Sequence, residues 1–202
     1  MAEELVVATK NQGKLREIRG LLAGLDVTVT SLADYPDAPD IVEDGDSFQA
    51  NALIKARIIA AHTGKLTMGE DSGLEVEALD NRPGIYSARF AGEHCDDEDN
   101  NRELLEELRG IPAEQRGARY CCCIALVKGE DIIAEVSGRC AGRISTEARG
   151  TNGFGYDPYF LIPEYGKTFG ELDPSIKARI SHRANALRSL QEILQEQFPA
   201  AK

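Results

Sequence analysis

At 202 residues the chain lies between one large domain and two small ones, and its 42% hydrophobic content is enough to bury a core. A formal net charge of −11 argues against broad contact with nucleic acid, and apolar runs of only a few residues exclude a bilayer-spanning helix or a membrane partner. The acidic start, Met1-Ala2-Glu3-Glu4, lacks the basic end and apolar run of a secretory leader, so the expected compartment is the cytoplasm.

In chain order, Leu5-Val6-Val7-Ala8 reads as a buried strand. Lys14 to Leu22 reads as a helix with Leu15, Ile18, Leu21 and Leu22 inward, and Val27 to Thr30 as a second strand. The stretch from Ser31 to Asp46, rich in Pro and Asp, is expected to be a surface loop. Ser47 is placed to cap a helix running to about His62, whose Phe48, Ala52, Ala56 and Ile59 share one face; the alanines suggest close packing on a sheet. Leu66-Thr67-Met68 predicts a short strand leading into Gly69-Glu70-Asp71-Ser72-Gly73, and Leu74 to Leu79 alternates like a half-exposed strand. Asp96 to Arg109 reads as a helix ended by Gly110, with Leu104, Leu105 and Leu108 inward. Two strands follow, Arg119 to Val127 and Asp131 to Arg139, joined at Lys128-Gly129. The five cysteines, three of them at Cys121-Cys122-Cys123, lack turn-spaced pairs and read as reduced strand residues. A glycine-rich segment spans Gly138 to Gly155, Asp173-Pro174 opens a helix, and a last helix from about His182 to Gln197 buries Leu187, Leu190 and Leu194. Early alternation of strands and helices followed by antiparallel pairs predicts an α/β fold with a mixed sheet, drawn into two lobes.

Four segments carry candidate chemistry. Thr9-Lys10-Asn11-Gln12-Gly13-Lys14 joins a strand to a helix N-terminus, where unpaired N–H groups favour an anion and Lys14 adds a full charge. It is not a P-loop, because Leu15 follows Lys14, and taken alone it is also an ordinary connection. Glu70 and Asp71 are expected at a strand end, with Glu43 folding back from the acidic loop; oxygen-only ligands suit Mg²⁺, and a carboxylate beside that ion is able to deprotonate water. The plain alternative is an Asp-Ser-Gly turn with solvated acids. Gly153-Phe154-Gly155-Tyr156-Asp157-Pro158 offers an aromatic face and, at Asp157, an acceptor for a base N–H, or is simply a connection anchored by its aromatics. Ser181-His182-Arg183, with Lys177 upstream, offers donors to carbonyl or phosphate oxygens, or a helix cap with solvated charges. Lys55 and Arg89 read by default as surface cations, and His62 and His94 as solvated.

Together and in this order, these segments resemble the inosine triphosphate pyrophosphatase family, which clears dITP, ITP and XTP from the nucleotide pool. The blocks that carry the resemblance are Ala8 to Lys14, Ser47 to Ala56, Glu70 to Val76, Pro83 to Arg89, Gly153 to Pro158 and Ser181 to Arg183, spread from Val6 to Leu190. The resemblance implies a single domain of two α/β lobes around a long mixed sheet, a deep substrate cleft between them, and a homodimer. It places Thr9, Lys10, Asn11, Gln12, Gly13 and Lys14 on the triphosphate, and Glu43 and Asp71 on Mg²⁺, with Asp71 also the general base. Ser72 touches substrate; Phe154, Gly155, Tyr156, Asp157, Lys177, His182 and Arg183 frame the purine; Lys55 and Arg89 are further phosphate contacts. Two positions depart from the family pattern: Glu70 stands where Asp is usual, and Gln49 where Glu is usual. The implied reaction is hydrolysis to a monophosphate and pyrophosphate, with the purine 6-keto group selected by donors that adenine would leave unpaired. The rivals are a pyrophosphatase for modified pyrimidines or methylated nucleotides on a related fold, and a nucleotide sensor without catalysis.

Overall fold

The computed structural model describes residues 3–24 and 26–197. Strand β1 (Glu3–Val7) pairs in parallel with β2 (Val27–Ser31) on one side and with β3 (Leu66–Val76) on the other. Helix α1 (Gln12–Leu22) makes the first crossover; Asn11 caps it by accepting from the Lys14 N–H at 3.0 Å, and Leu15, Ile18 and Leu22 are buried. Leu21, expected inward, is only partly buried against the same core. Helix α2 (Phe48–Thr63) makes the second crossover, capped by Ser47 as the sequence indicates and ended by Gly64 in the left-handed region, φ 66°.

The chain continues through α3 (Asp97–Glu107), β4 (Gly117–Lys128), β5 (Asp131–Ile144), β6 (Phe160–Ile162), β7 (Lys167–Thr168), α4 (Pro174–Ile180) and α5 (His182–Gln197). The seven strands form one mixed sheet in the order β2-β1-β3-β4-β5-β6-β7, with β6 antiparallel to both of its neighbours, β5 and β7. The α/β class and mixed sheet are those the pattern predicts. No helix among the described residues is long and apolar enough to cross a membrane.

The chain divides into two compact units. One comprises the described residues up to Asp71, Cys122–Gly138 and those from Arg183 on; the other comprises Ser72–Cys121 and Arg139–His182. In the first, Leu66 and Met68 of β3 pack with Leu5 and Val7 against Leu15 and Ile18 of α1 and Leu187 and Leu190 of α5. Ala52, Ala56 and Ala60 of α2 pack with Ala125 and Val127, so the alanine face does lie on sheet residues. In the second, Leu74, Leu104, Tyr120, Phe160 and Phe169 share a core.

Three expectations are corrected. The residues from Leu66 to Val76 are one strand, and what reads as a turn at Glu70 to Gly73 lies inside it; Glu77–Leu79 is a short 3₁₀ turn, not strand. The polar run is tolerated because ion pairs meet its acids. Strand β5 continues through Gly138 and Gly142 to Ile144, because Gly142 lets the Phe160 ring and Leu161 carbonyl approach, each within 2.6 Å of where a Cβ would stand. Nor is the loop from Ser31 wholly at the surface: Leu32 is buried with Val6, Ala8 and Ile59.

Gly69 fixes how closely α2 approaches β3. A Cβ there would stand 2.0 Å from the Ala52 carbonyl oxygen and 2.7 Å from the Ala56 nitrogen, both backbone atoms that a rotamer change does not move. Gly69→Ala is expected to destabilise at the upper end of the roughly 1–3 kcal/mol typical of core overpacking. Thermal unfolding should show a melting temperature lower by roughly 5–10 °C.

Candidate active site

The ladder between β1 and β3 ends at Val7 and Met68, closed by the Ala8 N–H donating to the Met68 carbonyl at 2.9 Å. There the chain leaves β1 into the Thr9–Lys14 turn, while β3 runs on. Glu70 and Asp71 therefore lie beyond the carboxyl end of β1, where ligands of parallel α/β sheets bind, although they are inside a strand rather than at its end.

Successive strand residues point to opposite faces, and this separates the two acids. Glu70, in phase with Leu66 and Met68, meets α1 and α5. Its Oε2 lies 3.0 Å from Lys14 Nζ and its Oε1 accepts from Arg183 at 3.1 Å, while Arg183 also pairs with Glu17. Arg183 is only 1% exposed, and although burial disfavours its charge, Glu70 and Glu17 outweigh that and hold its pKa above the usual value. The Cys122 thiol donates to Glu70 at 3.3 Å, and burial, then the charge of Glu70, push its pKa well up. The longer side chain at position 70 thus has a structural use.

Asp71, in phase with Gly69, meets α2. Lys55 Nζ lies 3.0 Å from Asp71 Oδ1 and 2.7 Å from Glu43 Oε2; one turn earlier, Asn51 donates to Asp71 Oδ2 at 3.2 Å. Burial raises the pKa of Asp71, opposed by the charges of Lys55 and Lys14. Burial acts to lower that of Lys55, but Asp71 and then Glu43 prevail and raise it. Lys55 is 6% exposed, not the surface cation its sequence context suggests. A cavity of about 220 Å³ beside it is lined by Thr9, Lys10, Asp40, Ile41, Glu43 and Lys55.

Within the turn, Thr9 Oγ1 accepts from the Asn11 N–H at 3.1 Å, so Thr9 and Asn11 both brace the backbone, and exposed Lys10 lies 3.5 Å from Asp40. Gln12 and Gly13 begin α1. Gln49 lies outside this group, donating to Glu135 at 2.6 Å, where a glutamate would meet like charge. Among the described residues no cluster of three or more His, Cys, Asp or Glu side chains is arranged for a metal. Glu43 and Asp71 remain as an oxygen-only pair, the donor type that hard divalent cations take, with water and phosphate oxygens completing such a shell.

The second unit holds the other predicted group. Asp157 Oδ2 accepts from Lys177 Nζ at 2.6 Å and from the Phe154 N–H at 2.9 Å. Gly153, at φ 81°, makes room for that carboxylate, which would lie 1.9 Å from a Cβ. Lys177 Nζ stands 4.9 Å from the Phe154 ring centre, and His182 stacks on Tyr120 at 4.7 Å between ring centres. Tyr156 is buried and donates to the Ser87 carbonyl at 2.7 Å, an anchor rather than an exposed face. Ser181 and His182 are buried rather than a solvated cap. Ser72 is half-buried on β3, and Arg89 lies over the Tyr86 ring at 5.1 Å.

Two residues in the first turns of α3 escaped the sequence reading: Asp97 accepts from the Gly155 N–H at 2.7 Å, and Asn101 donates to the Gly155 carbonyl at 3.0 Å. The only sequence signal was an acidic first turn, which also serves the helix dipole. A cavity of about 700 Å³ in this unit is lined by Asn101, Leu105, Phe154, Gly155, Pro158 and Tyr159. Lys14, Glu43, Lys55, Asp71 and Arg183 are thus grouped in the first unit, and Phe154, Asp157, Lys177 and His182 belong to the second.

The family model described as the Ham1 family matches residues 5–193. The chain belongs to the Ham1 family. Among Ham1-related sequences, a dITP/XTP pyrophosphatase of Shouchella clausii is 48% identical, with 97% of this chain and 98% of that one aligned. One of Rhodopirellula baltica is 50% identical over 92% and 89% respectively. Among solved structures, a HAM1 protein from Coxiella burnetii aligns with a TM-score of 0.88 at 40% identity, covering 96% of this chain and 99% of its own. The resemblance drawn from the motif blocks is therefore correct.

Removing the shared cation gives a test of the pairing. Lys55→Met leaves Asp71 buried without its ammonium, at a cost of about 3 kcal/mol, the low end for breaking a buried pair. It also raises the carboxyl pKa of Asp71 further above its unfolded value, so the folded form gains most from protonation. The deficit should be fullest at neutral pH and shrink as pH falls through that value, as urea midpoints at neutral and mildly acidic pH would show.

Proposed function

We propose that this chain hydrolyses dITP, ITP and XTP to the nucleoside monophosphate and pyrophosphate. The support is twofold: Ham1-family relatives of nearly the same length are dITP/XTP pyrophosphatases, and two carboxylates share one buried lysine beside a small cavity at the end of β1. That convergence carries the reading. At about 220 Å³ the cavity is smaller than the roughly 300–1,000 Å³ of whole-ligand pockets, which suits part of a nucleotide such as its polyphosphate.

In this reading Glu43 and Asp71 would hold Mg²⁺, which when bound would supply positive charge to phosphate oxygens and lower the pKa of water. The Thr9–Lys14 turn, with the N-terminus of α1 and the Lys14 ammonium, takes the triphosphate. Asp71 accepts a proton from water as its oxygen bonds to the α-phosphorus; the bond to the α–β bridging oxygen breaks, and pyrophosphate leaves. Lys55 keeps Glu43 and Asp71 together and lies where it is able to meet phosphate as well. Catalysis is then chiefly positioning and charge stabilisation.

The second unit supplies base recognition: Phe154 offers a ring face, and Lys177 and His182 donate to the 6-keto oxygen of hypoxanthine or xanthine. Both units belong to one catalytic domain, and the assembly proposed from the resemblance is a homodimer.

With ITP and MgCl₂ the products should be IMP and pyrophosphate; IDP and phosphate would contradict the reading. Asp71→Asn should lower kcat by roughly 10²–10⁴-fold, the usual yield of a general base. Lys177→Met should narrow the preference for ITP over ATP by at least about tenfold, because a lost donor removes the penalty that adenine meets. Steady-state kinetics with both nucleotides measures this.

A further inference from the structure

We propose that Asn51 is a positioning residue that holds the loop bearing Glu43 onto Asp71, and that Gly45 is the site against which it closes. The inference rests on the reading of Glu43 and Asp71 as the working carboxylates. Asparagine is a poor helix former, yet Asn51 lies inside α2 and is 1% exposed. A buried amide needs partners for both its ends. Nδ2 donates to Asp71 Oδ2 at 3.2 Å, and Oδ1 accepts from the Gly45 N–H at 2.9 Å.

One helical turn later, Lys55 repeats the same bridge with charge, from Asp71 Oδ1 to Glu43 Oε2. Two side chains on one face of α2 therefore join the same strand acid to the same loop. Residues 38–45 form neither helix nor strand, so the loop depends on such contacts for its place. Gly45 shows how tight the closure is. A Cβ there would stand 2.6 Å from Asn51 Oδ1, 2.8 Å from Ala50 Cβ and 2.9 Å from the Asn51 nitrogen. Residue 45 is thus glycine for approach, not for backbone conformation, since its φ is not in the left-handed region.

Asn51→Leu removes both hydrogen bonds at similar size, and Gly45→Ala forces the same contact apart from the loop side. Each should weaken MgCl₂ binding to the nucleotide-free protein by about 10–100-fold in calorimetry, and lower kcat for ITP by a similar factor. KM for ITP should stay within about twofold, because the Thr9–Lys14 turn is untouched. The double variant should lose clearly less than the sum of the two single losses, since the Gly45 N–H to Oδ1 contact that both disturb is lost only once. Wild-type Mg²⁺ affinity and kcat in folded Gly45→Ala would overturn the proposal, as would additive losses in the double variant. If Asn51→Leu fails to fold, Gly45→Ala, which lies outside α2, decides. Asp71→Asn separates the two layers: full activity there refutes the carboxylate assignment, whereas an inactive Asp71→Asn beside unaffected Gly45→Ala and Asn51→Leu refutes the latch alone.

Discussion

Two neighbouring carboxylates buried in one strand govern the first unit. Glu70 and Asp71 are 3% and 7% exposed, and an ionised carboxylate taken out of water needs an opposite charge at close range. That requirement draws Lys14 from α1, Lys55 from α2 and Arg183 from α5 to a single stretch of β3. Because strand residues alternate in direction, the demand is met on both faces of the sheet, by α1 and α5 on one and α2 on the other.

The two acids differ in what remains available to them. Glu70 has Lys14 on one oxygen and Arg183 with Cys122 on the other, which suits a group that positions cations. Asp71 has one ammonium and one amide, and it shares that ammonium with Glu43, which lines the cavity at the Thr9 turn. The division explains why a glutamate at position 70 is compatible with the proposed chemistry: its side chain meets Lys14 and Arg183 on one face, while strand alternation turns Asp71 to α2 and the Glu43 loop on the other. In the second unit the same economy is seen at Asp157, whose buried oxygen fixes both Lys177 and the Phe154 backbone.

What was legible in the sequence was local. Ser47, Asp96 and Asp173-Pro174 announce helix starts through capping chemistry that needs no tertiary partner, and Leu5 to Val7 announce a buried strand by composition. What was not legible depended on distant partners. The continuity of β3 is hidden because Glu70-Asp71-Ser72-Gly73 breaks the apolar pattern, and only the cations from three helices make it a strand interior. The burial of Lys55 and Arg183 is hidden for the same reason, although Asn51 and Lys55 flank the alanine face of α2 one turn apart. The short strands β6 and β7 carry too few residues for any periodicity to register. Asp157, read as a group offered to a base, proves buried beneath its own loop.

The central claim is that Glu43 and Asp71 form one divalent-cation site. Crystals grown with Mn²⁺ and a non-hydrolysable ITP analogue would test it through the anomalous signal of the metal. The account predicts a manganese peak at coordination distance, about 2.0–2.3 Å, from carboxylate oxygens of both residues. A peak held by neither, with Lys55 still bridging the two acids, would contradict it.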